Sequence, residues 1–319
     1  MTESEIFDYY RTTRTLDEED KLDYLSMVCD APDVSVGAMA VAGLTLSLIE
    51  NGWDKDRMRL LIQSLRPENE VIVIKRALVG LLLVMVQHDT VVRTDTDILE
   101  QVQEVLTIDP EVTFNALCDI ARTTQVERVV ACNKNMTRDL MPFIQNQQQT
   151  EIQSVIQKYK GEMMDIARLH LDQNYVFFKE LYRLPFFLES AANWLLPWHE
   201  SSLQNVPEED RDEFDEMLGK WPLCDSDKYA LVSNQMYKML RSLIQDRLQM
   251  ESLRDVGTAM EENELFTNLY VQQLYRFFNL SSFTQSHPFE SVHHLRDTMV
   301  YRLVVVGSEK QAIISELII

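Results

Sequence analysis

The sequence of 319 residues is long enough for two domains or one elongated array, and its eight glycines and nine prolines are too few for the frequent turns of β-sandwiches, barrels and propellers. This composition predicts an all-α protein. Its 30 basic and 51 acidic residues give a net charge of −21, which argues against nucleic acid and anionic membranes as partners because both repel an acidic surface.

The cysteines and the apolar runs indicate an intracellular protein. The four cysteines form no Cys-x-x-Cys pair and lie far apart, which predicts a reducing compartment; they are Cys29, Cys118, Cys132 and Cys224. The N-terminus lacks the basic start and apolar stretch of a secretory signal. The longest apolar run, residues 77–86, is shorter than the roughly 20 residues of a membrane-spanning helix. We therefore expect a cytoplasmic protein with no membrane contact.

Residues 33–106 show helical patterns in succession. A one-sided apolar stripe, typical of an amphipathic helix, is formed by Met58, Leu61, Ile62 and Leu65. Asp54 precedes this stripe as a helix cap. Residues 71–86 are apolar on nearly every side, which predicts an inner helix covered by neighbours. Residues 98–106 return to a one-sided stripe, opened by Asp95. The alternation of broad and narrow stripes is typical of stacked helical hairpins.

An internal repeat accompanies these helices. Shifting the chain by 37 residues places Ala40, Gly43, Leu44, Leu46 and Ile49 on Ala77, Gly80, Leu81, Leu83 and Val86. Glycine inside a helix costs about 1 kcal/mol relative to alanine, so we expect Gly43 and Gly80 to allow close helix packing. The period is near those of HEAT, armadillo and tetratricopeptide repeats. The sequence therefore predicts an α-solenoid of HEAT-like or tetratricopeptide-like hairpins.

The glutamine-rich stretch at residues 145–150 suggests a division of the chain. Three further helices are expected around it, over residues 112–131, 137–144 and 151–171. Polar stretches of this kind often separate domains, because few contacts cross them. We therefore predict a HEAT-like helical-repeat region, residues 1–150, and a less regular, aromatic-rich helical region, residues 151–319.

The aromatic-rich region contains shorter segments. Pro185 ends or kinks one helix, and residues 186–196 resume as another. Acidic residues crowd positions 207–217 and indicate a solvated connection. Residues 224–227 cap a long helix. Its buried stripe is expected to consist of Tyr229, Val232, Met236, Met239, Leu240 and Leu243. A later helix is expected over residues 262–278.

Four segments carry a resemblance to a known family. They are residues 76–83 (RALVGLLL), 186–198 (FFLESAANWLLPW), 223–229 (LCDSDKY) and 269–278 (LYVQQLYRFF). In these segments the chain resembles large uncharacterised bacterial proteins in which a helical region precedes C-terminal tetratricopeptide repeats. The resemblance implies a helical architecture and a scaffold-like role, and it supplies no active-site residue. Residues 281–319 are too few for such an array, so we expect either that the natural chain continues beyond Ile319 or that the array is missing.

One candidate metal site can be considered. The tightest histidine group is His287, His293 and His294, and a fourth ligand would be Glu290 or Asp297. The group lacks the i, i+4 histidine pair that zinc hydrolases place on one helix face. We interpret these histidines as loop or surface residues.

The aromatic segment offers a candidate catalytic site. Glu180, Glu189 and His199 could act as acid and base, although their spacing does not place them together. The neighbouring aromatic residues could line a ligand groove, but such residues at helical spacing are most often core, and we interpret them as packing. They are Phe177, Phe178, Phe186, Phe187, Trp194 and Trp198.

No other motif indicates chemistry. The acidic run at residues 208–216 lacks the central glycine and the ligand order of a calcium loop. The sequence contains no phosphate-binding glycine loop, nucleophile elbow or zinc-protease motif. We therefore assign no catalytic, cofactor-binding or metal-ligating residue and expect no cofactor.

These observations favour a non-enzymatic helical-repeat scaffold that binds another protein through the concave face of its stacked hairpins. An enzyme with an unrecognised helical active site in the aromatic second half is the alternative. A nucleic-acid-binding repeat, which would need a local basic groove, is a third possibility.

The C-terminal segment, residues 308–319, carries an apolar stripe. Its members are Ala312, Ile313, Ile314, Leu317, Ile318 and Ile319. Solenoid ends normally have a polar outer face. We therefore expect this helix to pack on a following helix in a longer chain, and otherwise on its own domain or on a second copy in a homodimer.

Overall fold

The computed structural model describes residues 1–146, 148–199, 202–203, 206–220, 223–232, 262–305 and 310–318. These residues form 17 α-helices, joined by turns and short 3₁₀ helices, and include no β-strand. The all-α prediction is therefore confirmed.

Eight helices form the first 122 residues of the chain. They are α1 (Glu3–Thr12), α2 (Glu18–Cys29), α3 (Val34–Asn51), α4 (Lys55–Gln63), α5 (Val71–Gln87), α6 (Asp89–Val92), α7 (Thr96–Leu106) and α8 (Pro110–Arg122). Asp54 accepts a hydrogen bond from the backbone N–H of Arg57 at 2.9 Å. Asp95 likewise accepts one from Ile98 at 3.3 Å. Both predicted caps are confirmed, and each pairs an N–H that the helix itself leaves unbonded.

α3 and α5 are the central helices of the core. Residues 37–49 of α3 and residues 75–86 of α5 are all buried, which confirms that α5 is an inner helix. Among the described residues, α3 is the one helix that is long and apolar enough to cross a membrane. In this structure, 78% of that 18-residue stretch is buried inside the protein. Apolar character on all sides is the common property of buried core helices.

Two glycines set the spacing of these central helices. A Cβ atom on Gly43 would lie 2.4 Å from the backbone oxygen of Phe7 in α1, and one on Gly80 would lie 2.4 Å from Thr45 Oγ1 in α3. Both distances are too short for non-bonded atoms. The two glycines that the 37-residue offset aligns therefore both allow the close approach of an earlier helix, as predicted.

The helices of the first half pack in two rows. In one row α1 contacts α3, α3 contacts α5 and α5 contacts α8, and in the other α2 contacts α4 and α4 contacts α7. Ion pairs join neighbours in the second row. Lys21 lies 2.8 Å from Asp56, and Arg59 lies 2.8 Å from Asp97.

The structure divides the predicted helix over residues 112–131. α8 is followed by a 3₁₀ turn at Thr123–Gln125, and α9 (Val126–Gln145) then runs without a break through the predicted gap before residue 137. The Thr123 hydroxyl donates to the backbone oxygen of Ile120 at 2.6 Å. Local bonds of this kind compete with helix propagation, and the β-branched, hydroxyl-bearing residue marks the break.

α9 and α10 (Gln149–Arg168) form an antiparallel hairpin. The domain boundary predicted near residue 150 falls at the turn of this hairpin. Buried residues from both predicted regions belong to one continuous hydrophobic core.

The aromatic-rich region begins with short helices. They are α11 (Tyr175–Phe178), α12 (Pro185–Glu189), α13 (Arg211–Lys220) and α14 (Asp225–Leu231). Pro185 occupies the first turn of α12, where its missing N–H is tolerated. The helix predicted over residues 186–196 stops at Glu189, and a 3₁₀ helix follows at Ala192–Trp194. The predicted stripe positions Met236, Met239, Leu240 and Leu243 lie outside the described residues.

The last elements cover the central helices of the first half. They are α15 (Glu262–Leu280), a 3₁₀ helix (Pro288–Asp297), α16 (Met299–Val304) and α17 (Lys310–Leu317). α15 agrees with the predicted helix over residues 262–278. Both α15 and the 3₁₀ helix pack on α5 and α8, so the row of helices that includes α5 faces the second half of the same chain.

The C-terminal helix α17 docks on its own chain. Ile314 and Leu317 are buried, and α17 packs on α8. The Gln125 side chain donates to the backbone oxygens of Glu316 and Leu317 at 3.0 and 2.9 Å, which pairs carbonyls that the helix end leaves free. Docking on the chain's own domain is thus confirmed for the described residues, Ile319 lying outside them. A homodimer through this helix stays a prediction.

Candidate functional site

A cluster of buried polar side chains surrounds Arg276. Its Nη2 lies 3.0 Å from Asp172 Oδ2 and 3.1 Å from Asp227 Oδ2. Its Nη1 lies 3.1 Å from Cys224 Sγ. All four side chains are buried. Since α15, the start of α14 and the segment after α10 each contribute, the cluster joins three parts of the chain.

Tyr182 and Ser226 complete this Arg276 cluster. The Tyr182 hydroxyl donates to Asp227 Oδ1 at 2.8 Å and lies 2.8 Å from Ser226 Oγ. The Tyr182 ring stacks on Trp194 with their centroids 4.7 Å apart. Aromatic packing therefore fixes the phenol that holds one of the two carboxylates.

The charges of the Arg276 cluster do not balance, because two carboxylates share one guanidinium. Burial raises the pKa of Asp227 to about 6 and also raises the pKa of Asp172, while Arg276 opposes both shifts. Burial raises the pKa of the Cys224 thiol and of the Tyr182 phenol as well. Both groups therefore stay protonated near neutral pH, and a protonated buried thiol is a poor nucleophile. The cluster is suited to hold helices together.

A small cleft adjoins the cluster at Asp172. Its cavity volume is only about 10 Å³, about the space of one water molecule, and its polar lining includes Asp119 and Asn268. Asn268 Nδ2 donates to Asp119 Oδ1 at 2.9 Å, and Gln272 Nε2 donates to Asn268 Oδ1 at 2.7 Å. Arg122 also pairs with Asp119. These lining groups bond one another, and the volume lies below the usual range of small-molecule pockets.

A second buried arginine, Arg76, ties α5 to the second half of the chain. Its Nη1 donates to the backbone oxygen of Leu195 at 2.7 Å. Its guanidinium lies over the Tyr270 ring, 4.7 Å from the centroid, and Nη2 lies 3.7 Å from Asp225 Oδ2. The Arg76 side chain is fully buried, and these contacts take the place of part of its hydration.

The histidines of the candidate metal site are exposed. His287 precedes the 3₁₀ helix Pro288–Asp297, and His293 and His294 lie within it. In the part of the chain that the structure describes, no three or more His, Cys, Asp or Glu side chains are grouped to hold a metal ion.

The carboxylates of the candidate catalytic site are also exposed. Glu180 pairs with Arg183 at 3.0 Å, and Glu189 and His199 have exposed side chains. None of these three predicted residues belongs to the Arg276 cluster. The structure therefore places carboxylates together in the second half, but at Asp172 and Asp227.

The aromatic residues of the second half are mostly packed. Phe178, Phe187 and Trp194 are buried, and Phe186 and Trp198 are half-buried. The interpretation as packing is confirmed for these five. Phe177 differs, with 53% of its surface exposed.

Sequence reasoning missed the Arg276 cluster. Residues 224–227 predict only a helix cap. Asp172 lies 104 positions before Arg276, so no local pattern connects the two. One signal was present, because Arg276 stands among apolar residues within the segment 269–278. A charged residue in such a stretch requires a buried partner.

The α9–α10 hairpin presents apolar side chains to solvent. In the described hairpin, no residue of α9 beyond Cys132 and no residue of α10 before Ile166 is buried. Five large apolar side chains of this distal part are exposed: Met141, Ile144, Ile156, Met163 and Met164. Clustered exposed apolar residues mark interaction surfaces more often than scattered ones do.

Ion pairs close one side of the hairpin. Asp139 Oδ2 lies 2.7 Å from Lys158 Nζ and accepts a hydrogen bond from the Tyr159 hydroxyl at 2.9 Å. Arg128 Nε lies 2.5 Å from Glu162 Oε1. The bond from Lys158 is the main reason that the pKa of Asp139 falls to about 2. These ion pairs connect α9 and α10 along one side of the hairpin.

Comparison of the chain with models of protein families, with curated proteins and with solved structures finds no match. Proposals about function therefore depend on the geometry described above.

Proposed function

We propose that this protein is a cytoplasmic, non-enzymatic helical-repeat scaffold that binds another protein chain. The repeat arrangement is supported by the two rows of helices, α1–α3–α5–α8 and α2–α4–α7, in which each hairpin contacts the next. The close approaches at Gly43 and Gly80 recur at the 37-residue offset. Stacked hairpins of this kind form extended surfaces suited to protein binding.

The hairpin α9–α10 is the surface that we assign to this binding. The concave face predicted from the sequence is a less suitable site, because α15 and the 3₁₀ helix Pro288–Asp297 pack on α5 and α8. The observation that carries the proposal is the exposure of Ile144 (51%), Ile156 (39%) and Met163 (43%) on a hairpin whose other side carries ion pairs between its two helices.

The enzyme alternative has less support. Its best feature is the convergence of Asp172 and Asp227 beside the small cleft. Arg276 and Tyr182 hold these carboxylates, however, and the neighbouring Cys224 thiol is protonated. Buried charge networks of this type also occur for purely structural reasons.

Site-specific photo-crosslinking tests the proposed function. A photo-reactive amino acid replaces Ile156 in the full chain, expressed in its native host, and a matched variant carries it at Ser154, an exposed residue of the same helix. The proposal expects protein adducts from position 156 in clear excess over position 154. Equal adduct yields from the two positions would show that the apolar side chains do not mark a docking surface.

A further inference from the structure

Three of the five exposed apolar residues of the hairpin, Ile144, Ile156 and Met163, lie on one side of it. Successive helical residues are about 100° apart. The half-buried residues Met136, Leu140 and Phe143 mark the seam of α9, which is the line along which α9 packs on α10. Ile144 is rotated from that seam by roughly 80°. The side chain of Ile144 therefore lies beside the seam instead of inside it, which agrees with its exposure.

α10 shows the same displacement. Its half-buried seam residues are Ile152, Val155 and Tyr159. Ile156 and Met163 are rotated from this seam by roughly 50–70°, in the same sense as Ile144 in α9. In an antiparallel pair, rotation in the same sense brings both sets of side chains to the same side of the hairpin.

The ion pairs lie on the other side of the hairpin. Arg128, Asp139 and Glu162 are rotated from the seams in the opposite sense, by roughly 50–80°. They pair across the helices on that opposite side. The hairpin thus has an ion-paired side and an apolar side, and the side chains of the apolar side are exposed. We define the apolar face as Ile144, Ile156 and Met163.

We infer that the apolar face binds the same face of a second copy of this chain, so that two hairpins form a four-helix bundle; the inference rests on the proposed function. In such a bundle each helix contacts two neighbours, and its apolar arc spans the directions of both. The apolar residues of α9 and α10 fit this arrangement, because on each helix they extend from the seam to the apolar face. A second hairpin of the same geometry completes the bundle.

The charge distribution favours this occupant. Residues 126–168 contain six basic and five acidic residues, a net charge of +1, whereas the rest of the chain contains 24 basic and 46 acidic residues, a net charge of −22. Two copies therefore repel one another through their bodies and can meet at the nearly neutral hairpin. The paired carboxylates Asp139 and Glu162 lie on the opposite side, so that dimer formation buries none of them. Lys160, at the edge of the apolar face, can keep its ammonium group in water.

The dimensions of the hairpin suit a weak, concentration-dependent dimer. The parts of the two helices that hold no buried side chain are residues 133–145 of α9 and 149–165 of α10. At 1.5 Å per residue and about 10 Å of width, they offer roughly 450 Å² per copy and about 900 Å² in total. This area lies in the range of weak, transient protein interfaces. An antiparallel arrangement places the acidic bodies at opposite ends, about 30 Å apart and well beyond the Debye length of about 8 Å.

Sedimentation velocity on the purified full chain over a concentration series tests the inference. We expect the wild type to approach twice its mass of 37.3 kDa. Ile156→Glu and Met163→Glu each place a carboxylate in the interface and should weaken the dimer by about tenfold or more. Ser154→Glu adds the same charge to an exposed site on the other side of α10 and should leave the dimer intact. Because all three sites lack buried side chains, circular dichroism should show the same helix content in every variant.

Three results would overturn the inference. If the wild type is monomeric at every concentration while crosslinks from position 156 give adducts of a different mass, the partner is another protein, and the proposed function survives without the dimer. If the wild type dimerises but Ile156→Glu and Met163→Glu do not weaken it, the dimer uses another surface, such as α17. A monomer without adducts from position 156 removes both proposals.

Discussion

Gly80 in α5 approaches Thr45 in α3 so closely that a Cβ atom at residue 80 would lie 2.4 Å from Thr45 Oγ1 and 2.9 Å from its Cγ2. The Thr45 hydroxyl is buried and has no hydrogen-bond partner among the described residues. This contact sets the distance between the two central helices. Gly43, which lies 37 residues earlier in the chain, approaches α1 in the same way.

Gly80→Ala is expected to destabilise the protein by about 1–3 kcal/mol, because the added methyl group overpacks the contact with Thr45. Urea unfolding measures this change. Gly161→Ala is the matched control, since a Cβ atom there meets nothing within 4 Å. It should stabilise α10 by up to about 1 kcal/mol through helix propensity.

Thr45→Ala tests the cause of the Gly80→Ala effect. It removes the atoms that clash, and combined with Gly80→Ala it should recover most of the lost stability. A double variant no more stable than Gly80→Ala alone would show that the cost arises elsewhere.

Arg276→Met should be strongly destabilising, by about 3–5 kcal/mol, because it leaves two buried carboxylates without their cation. Arg183→Met removes an exposed partner of Glu180 and should change the free energy of unfolding by less than about 1 kcal/mol. Chemical denaturation compares the two. Similar values for both substitutions would contradict the buried arrangement of the Arg276 cluster.

The raised pKa of Asp227 predicts an unusual pH dependence. The folded protein binds the Asp227 proton more tightly than the unfolded chain does, so this group stabilises the fold fully below its ordinary pKa of 3.8, and the contribution is lost as the pH rises through about 6. Relative to Asp227→Asn, the wild type should gain up to about 3 kcal/mol as the pH falls from 8 to 4, at about 1.4 kcal/mol per unit of pKa shift. Denaturant titrations at several pH values measure the difference, and a difference independent of pH would refute the assignment.

Leu317→Ala should loosen the C-terminal helix. Leu317 is buried against the chain, and the truncation should cost about 2–5 kcal/mol. Ile313→Ala, on the exposed side of the same helix, should cost much less. Thermal melting gives the stability change, and faster amide exchange in residues 310–318 would locate it. Equal melting temperatures for the two variants would mean that α17 is not docked.

The sequence predicted most helices of the first half because each has a local signal. Asp54 and Asp95 are caps with a fixed spacing from the first turn, and residues 71–86 are apolar on all sides. The break at Thr123 was not predictable in this way, since a single hydroxyl bond ends α8 while the apolar pattern continues. The partners of Arg276 were invisible for another reason, because Asp172 and Asp227 reach it only through tertiary packing.

The exposed apolar side chains of the hairpin were likewise not predictable from the sequence. Ile152 and Ile156 belong to the same apolar pattern, and the pattern predicts burial for both. The structure separates them, because α9 covers the seam and nothing in the described part of the chain covers Ile156 to the same extent. Where an amphipathic helix has more apolar surface than its neighbour can bury, only the packed structure shows which apolar side chains stay exposed.

Hydrogen exchange of the hairpin amides in the full chain, at low and at high micromolar concentration, tests the central claim most directly. The account predicts that residues 149–165 exchange more slowly at the higher concentration in the wild type and in Ser154→Glu, but not in Ile156→Glu, while the body of the protein exchanges at the same rate in all three. Exchange in the hairpin that depends neither on concentration nor on the Ile156→Glu substitution would contradict the claim that two copies meet through the apolar face.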